Sequence, residues 1–325
     1  MANTFLFIIS GLVLLIYGLR LLQSGLLDLS GKGLTLSFRS ISSNPARALF
    51  AGLVASALTQ SSTAISVITI ALTHSGILNL KQAVAVILGA NVGTTLTVQF
   101  LALNPGLLAL PLFSAGIILS CSPFKTLGRI TAGIGAVFLG LDLLNRALVP
   151  LQREPWFTTG LSYAGNNHLL AVGIATILSA FLHSSSAATG IVIALYAQGT
   201  INLDAAVALV LGNNIGTCFT ALVASLTSSA AGRRVALAHL LINVIGAVVC
   251  LPLIHPFSTF ITATAIDPGR RVANAHTIYN ILSSLMIFPF CGPLACLLNR
   301  LVPGSLIQTS RNQNLLPQRH RVHRE

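Results

Sequence analysis

Two short polar clusters interrupt otherwise apolar stretches of this chain: Gln60-Ser61-Ser62-Thr63 and His183-Ser184-Ser185-Ser186. Ser and Thr are favoured helix N-caps, so each cluster reads as the start of a half-helix. Such a start presents free amide N–H groups and the positive end of the helix dipole, a natural place for an oxyanion such as phosphate. Hydroxyl and amide side chains add hydrogen bonds without a charge that a bilayer would penalise. A Ser-rich patch can equally serve helix packing through back-bonded hydroxyls. Two copies at related positions favour the binding reading. A second pair of motifs, Gly89 to Thr95 and Gly212 to Cys218, also lies in apolar surroundings. Its glycines are expected to let the chain leave helical geometry and approach a ligand. Asn91, Thr94, Asn214 and Thr217 offer the neutral oxygens that hard cations such as sodium choose. The competing reading for this pair is a glycine-rich helix contact.

Composition says what must hold these clusters. Of the 325 residues, 54% are hydrophobic and 7% charged, against roughly 25% charged in soluble proteins. This is an integral membrane protein. The net charge of +12 is no sign of nucleic-acid binding, because the stretches between basic residues are long enough to span a bilayer and no nucleic-acid motif accompanies them. The six acids show no i, i+3 or i, i+4 pairing with one another. His183 and Ser184 are neighbours that cannot face each other on a helix, so no catalytic nucleophile and base are assembled and an enzyme is not expected. The five cysteines have no CxxC spacing and read as small buried hydrophobes. Phe5 to Leu19 lacks the basic region and cleavage site of a signal peptide, and is kept as a first membrane helix.

An internal repeat organises the chain. Shifting the sequence by 123 positions aligns 52–97 with 175–220 without a gap, and 21 of the 46 positions are identical. Upstream, with a one-residue slip, Gly11 and Gly18-Leu19 match Gly133 and Gly140-Leu141. If the segments at 46–74 and 169–198 enter the membrane and turn back, 13 of the 18 basic residues fall on one side. Arg153, Arg270 and Arg271 fall on the other, and Arg20 and Arg146 are read as snorkelling near helix ends. The positive-inside bias then places the C-terminus in the cytoplasm and the N-terminus outside. The expected architecture is an all-α inverted-repeat secondary transporter with about seven spans and two re-entrant helical hairpins. Its parts are residues 1–126 (first repeat, hairpin around Gln60–Thr63), 127–234 (second, inverted repeat, hairpin around His183–Ser186), 235–299 (two further spans) and 300–325 (a basic cytoplasmic tail).

The repeated Gln-Ser-Ser-Ser/Thr-Ala element followed by Gly-Ala-Asn-x-Gly-Thr-Thr resembles the sodium/phosphate cotransporter family, type II, over nearly the whole chain from Gly11 to about Pro289. Two His-x-x-x-Asn helices, His239/Asn243 and His276/Asn280, resemble it as well. The resemblance implies sodium-coupled movement of inorganic phosphate in a bacterial cytoplasmic (inner) membrane, with sodium as coupling ion and no other cofactor. The substrate-binding candidates it implies are Gln60, Ser61, Ser62, Thr63, His183, Ser184, Ser185 and Ser186. The ion-binding candidates are Asn91, Thr94, Thr95, Asn214 and Thr217. The His/Asn pairs, each on one helix face, are expected to fix packing through interhelical hydrogen bonds rather than to line the route.

Departures from the family pattern bear on mechanism. His183 stands where the family has Gln, and Gly212-Asn213-Asn214 replaces Gly-Ala-Asn. A histidine there opens a route to proton dependence, or simply replaces the amide hydrogen bond. The chain is expected to lack the helical regulatory domain that some bacterial members append. Alternating access is the expected mechanism, with sodium completing the site and partly neutralising the phosphate. The alternatives are phosphate export or another oxyanion. An ion channel is disfavoured because no helix carries a continuous polar file. Oligomeric state is open, a homodimer being one arrangement.

Overall fold

The computed structural model describes residues 2–30, 44–103 and 106–303, which form helices joined by turns and short extended caps. Lys32, Arg39 and the part of the basic tail from residue 304 onward lie outside the described residues. In chain order the helices are α1 (Ala2–Ser30), α2 (Pro45–Thr59), α3 (Ser62–His74), α4 (Leu80–Gly93), α5 (Thr95–Leu101), α6 (Ala109–Ser120), α7 (Lys125–Leu151) and α8 (Pro155–Asn166). There follow α9 (His168–Leu182), α10 (Ser185–Ala197), α11 (Leu203–Ser225), α12 (Ala230–Cys250), α13 (Ile254–Thr262), α14 (Pro268–Ile287) and α15 (Cys291–Leu301). Among the described residues, six helical stretches are long and apolar enough to cross a membrane, and a bent pair would make a seventh. Large apolar side chains face outward along them, as with Phe5, Ile9, Val13 and Tyr17 at i, i+4 spacing on α1. A surface of that kind belongs against lipid.

The repeat is visible in packing as well as in sequence. α2 lies along α4 as α9 lies along α11. A Cβ on Gly89 of α4 would come within 1.9 Å of the Leu49 carbonyl oxygen, and one on Gly212 of α11 within 2.2 Å of the Val172 carbonyl oxygen, its counterpart 123 positions on. Both helices therefore approach their neighbours backbone to backbone, as small residues permit in membranes. The expectation that the glycine motifs leave helical geometry fails in the second repeat, where Gly212 and Gly216 lie inside the continuous α11. In the first repeat Gly89 lies inside α4, which ends at Gly93, and the helix is interrupted at Thr94 before α5 begins. The glycines themselves are helix contacts.

The corresponding helices α1 and α7 form the most extensive pairing among the described residues. Gly11 meets Gly140, and Gly18 meets Gly133, each across its backbone. Residue number rises along α1 as it falls along α7, so these repeat mates run in opposite directions.

The expectation of two equivalent hairpins is met unevenly. The sharp bend, 110°, lies between Pro155–Tyr163 and His168–Leu182. The sequence reading named no helix at Pro155–Asn166; Glu154 and Pro155 at its start are the local signal. At the two Ser clusters the chain instead breaks between short apolar helices, α2 and α3 in one repeat and α9 and α10 in the other.

Gly89→Ala should destabilise the fold by about 1–3 kcal/mol, because its methyl group would overlap the α2 backbone. Gly173→Ala should be tolerated, since nothing lies within 4 Å of a Cβ there. Thermal unfolding of the two variants in detergent checks this; equal midpoints would sink the close-packing account.

Candidate functional site

Each break has the same construction. Gln60 and His183 are the only non-glycine residues with positive φ among those described, at 50° and 52°. A left-handed residue without glycine's freedom carries a cost of about 1–3 kcal/mol, which the surroundings must offset. The next residue is extended and caps the following helix: Ser61 Oγ accepts from the Ala64 amide at 3.1 Å, and Ser184 Oγ from the Ala187 amide at 3.1 Å. The expected N-caps are thus present, one in each repeat, on helices of 13 residues each.

The fold brings both breaks to one cavity of about 90 Å³. Gln60, Ser61, Ser62 and Thr63 line it from the first repeat, and His183, Ser184, Ser185 and Ser186 from the second. Ser62 and Ser185 are each 4% exposed. While Ser61 and Ser184 spend their oxygens on capping, the hydroxyls of Ser62, Thr63, Ser185 and Ser186 have no partner among the described residues. The Gln60 Oε1 atom is buried without a hydrogen-bond partner. Two capped helix starts and four hydroxyls without a partner among the described residues surround this small space, beside the unpartnered Gln60 oxygen. Helix starts and hydroxyls are groups able to donate hydrogen bonds to an oxyanion.

The two breaks differ where their sequences differ. His183 Nδ1 lies 2.9 Å from Thr220 Oγ1. Thr97, the counterpart of Thr220, is fully buried and its hydroxyl is unpartnered, as is Gln60 Oε1. In the second repeat the histidine thus makes a side-chain hydrogen bond that its counterpart Gln60 does not make through Oε1.

Of the ion-binding candidates, Thr94 lines the cavity and the others do not. Thr95 Oγ1 donates to the Val92 carbonyl, and Thr217 Oγ1 donates to that of Asn213 at 2.7 Å. Asn91 Nδ2 donates to Asn243 Oδ1 at 3.1 Å on α12, and Asn214 Oδ1 lies 3.4 Å from His276 Nε2 on α14. Since Asn91 and Asn214 are repeat mates, the two His-x-x-x-Asn helices attach to equivalent points of the two repeats. His239 adds a contact to Ser66 at 3.1 Å, and all four His and Asn residues are buried. Their expected packing role is what the geometry displays.

The sequence reading missed Gln23 and Arg20, which line the cavity from α1. Gln23 Nε2 donates to the Gln60 carbonyl oxygen at 3.2 Å, tying α1 to the break. Arg20, read as snorkelling from near a helix end, also lies on the side of α1 that faces the cavity. The signal was in the spacing: Ile16, Leu19, Arg20 and Gln23 share one helical face, and all four line the cavity.

The model of the Na+/Pi-cotransporter family matches residues 14–146 and 154–262. An uncharacterized Bacillus subtilis protein, YqeW, is 30% identical over 254 residues, covering 77% of this chain and 83% of its own length. The Salmonella typhimurium protein named "Putative inorganic phosphate export protein YjbB" is 30% identical over 260 residues, covering 78% of this chain and 48% of its own. This chain therefore spans about half the length of that relative. The human sodium-dependent phosphate transport protein 2C is 44% identical over 81 residues, which is 24% of this chain and 14% of that one. No solved structure matches the chain at significance. The family is one of transporters and not of enzymes. With a model match over most of its length, this chain belongs to the Na+/Pi-cotransporter family.

Proposed function

We propose that the protein carries inorganic phosphate across the cytoplasmic (inner) membrane of a bacterium, coupled to sodium, by alternating access. The observation that carries this reading is the single cavity lined by a capped helix start from each repeat. Phosphate is held by the free hydroxyls of Ser62, Thr63, Ser185 and Ser186 and by the amides behind Ser61 and Ser184, with Gln60 and His183 at the rim. Sodium completes the site through the unpartnered Gln60 oxygen and Thr94. Asn91, Thr95, Asn214 and Thr217 form the layer behind them and set its shape.

In this reading residues 1–126 and 127–234 are inverted repeats, and each Ser cluster is the tip of a re-entrant hairpin. The opposed directions of α1 and α7 support the inversion. Residues 235–299 supply two more spans, and the basic tail lies in the cytoplasm with the N-terminus outside. Movement of the Ser-bearing hairpins against the remaining helices opens the site to either face in turn. A second reading, net export of phosphate, is favoured by the name of YjbB. The same site serves both directions.

Purified protein in liposomes should accumulate labelled phosphate down an inward sodium gradient, and a potassium gradient should not replace it. Uptake indifferent to the cation would sink the coupling, and outward movement alone, with either gradient, would establish the export reading. Ser62→Ala and Ser185→Ala should each raise the phosphate KM by up to about tenfold, the loss expected for one hydrogen bond. Unchanged KM in both variants would move the site elsewhere.

A further inference from the structure

We propose that Arg20 is the cationic member of the anion site, its guanidinium serving as the charge partner of a doubly charged tetrahedral oxyanion in the cavity between the two Ser clusters; this rests on the transport reading above.

Three observations carry it. Ile16, Leu19, Arg20 and Gln23 form one face of α1, and that face lines the cavity. Gln23 fixes the register by donating to the Gln60 carbonyl oxygen at the break itself. Finally, Arg20 has no ion-pair or hydrogen-bond partner among the described residues. The acids that do form ion pairs are engaged elsewhere: Asp28 with Arg129, Asp142 with Arg146, and Asp204 with His255. A charged residue within a membrane span is costly unless it meets a partner. The space beside Arg20 is lined by hydroxyls and helix starts, which select the same anionic partner.

The repeat shows that this charge is particular to one half. Under the one-residue slip that matches Gly18 to Gly140, Arg20 corresponds to Asp142 and Gln23 to Asn145. Asp142 is already paired, 2.8 Å from Arg146 Nε, and opens on a different cavity together with Asn145 and Asp267. Symmetry of the fold thus gives the anion cavity a single cation. Arginine suits that place, since its planar fork donates two parallel hydrogen bonds to an oxyanion.

The experiment uses the full chain in proteoliposomes. Arg20→Gln should raise the phosphate KM about tenfold or more, as expected for a charge-assisted hydrogen bond, and leave the maximal rate within a few-fold. Arg20→Lys, which keeps the charge, should recover most of the affinity. In the wild-type protein, phosphate should slow phenylglyoxal modification of Arg20, read by peptide mass, and leave modification of Arg146 unchanged. This last measurement decides the matter if the variants do not fold. An unchanged KM in Arg20→Gln, or Arg20 modified equally fast with and without phosphate while the wild type transports, overturns the assignment. Wild-type protein that neither transports phosphate nor shows any protection overturns the transport reading itself.

Discussion

A helix that stops inside a bilayer leaves amide groups with neither water nor carbonyls to bond them, and this constraint shapes the whole molecule. At Gln60-Ser61 and His183-Ser184 the chain meets it with a left-handed residue followed by an extended serine that caps the next helix. Each capping hydroxyl satisfies one amide and leaves others directed at the cavity. Each break is therefore a place where the backbone still has donors to offer. It is tolerable because both breaks open on a cavity within the protein rather than on lipid.

Holding two such breaks against one small space demands close, stiff packing around them. The glycines of α4 and α11 bring those helices into backbone contact with α2 and α9, the helices that end at the breaks. Asn243 and His276 then bind the repeat mates Asn91 and Asn214, so that α12 and α14 brace equivalent points of the two halves. Neither of these helices belongs to the repeat. His239, Asn243 and His276 each find a partner on a repeat helix, which offsets the cost of burying them, while Asn280 bonds back to the His276 carbonyl of its own helix.

Much of this was legible from sequence, and for a physical reason. Capping is a local event between residue i and i+3, so Ser61 and Ser184 announce it wherever the rest of the chain lies. The repeat doubled that signal, and it also exposed His183 as a departure from Gln60. What stayed illegible depended on which neighbour a helix face meets. Gly89 and Gly212 have the same composition whether they unwind to a ligand or pack against a carbonyl, and only the α2 and α9 backbones decide for packing. Arg20 looked like a snorkelling side chain because one charge in a long apolar run carries no information about its facing partner. Its spacing with Ile16, Leu19 and Gln23 becomes meaningful once that face is known to line the cavity.

The scarcity of carboxylates acquires a sharper sense from Arg20. A helix start contributes roughly half a positive charge, so two of them together with one guanidinium roughly balance a doubly charged oxyanion before any cation arrives. Under the proposed reading sodium is then not needed to neutralise the substrate, and a carboxylate in the cavity would upset that balance. Coupling in the proposed site would rest on geometry, with the cation held by oxygens such as that of Gln60 and the hydroxyl of Thr94, which line the same cavity. An unpartnered Gln60 oxygen beside a partnered His183 ring points the same way, since it leaves the first repeat, and not the second, with an acceptor to offer a cation. The two breaks are alike in backbone and unlike in chemistry, and in the proposed transporter that difference is what lets one cavity hold ions of opposite sign.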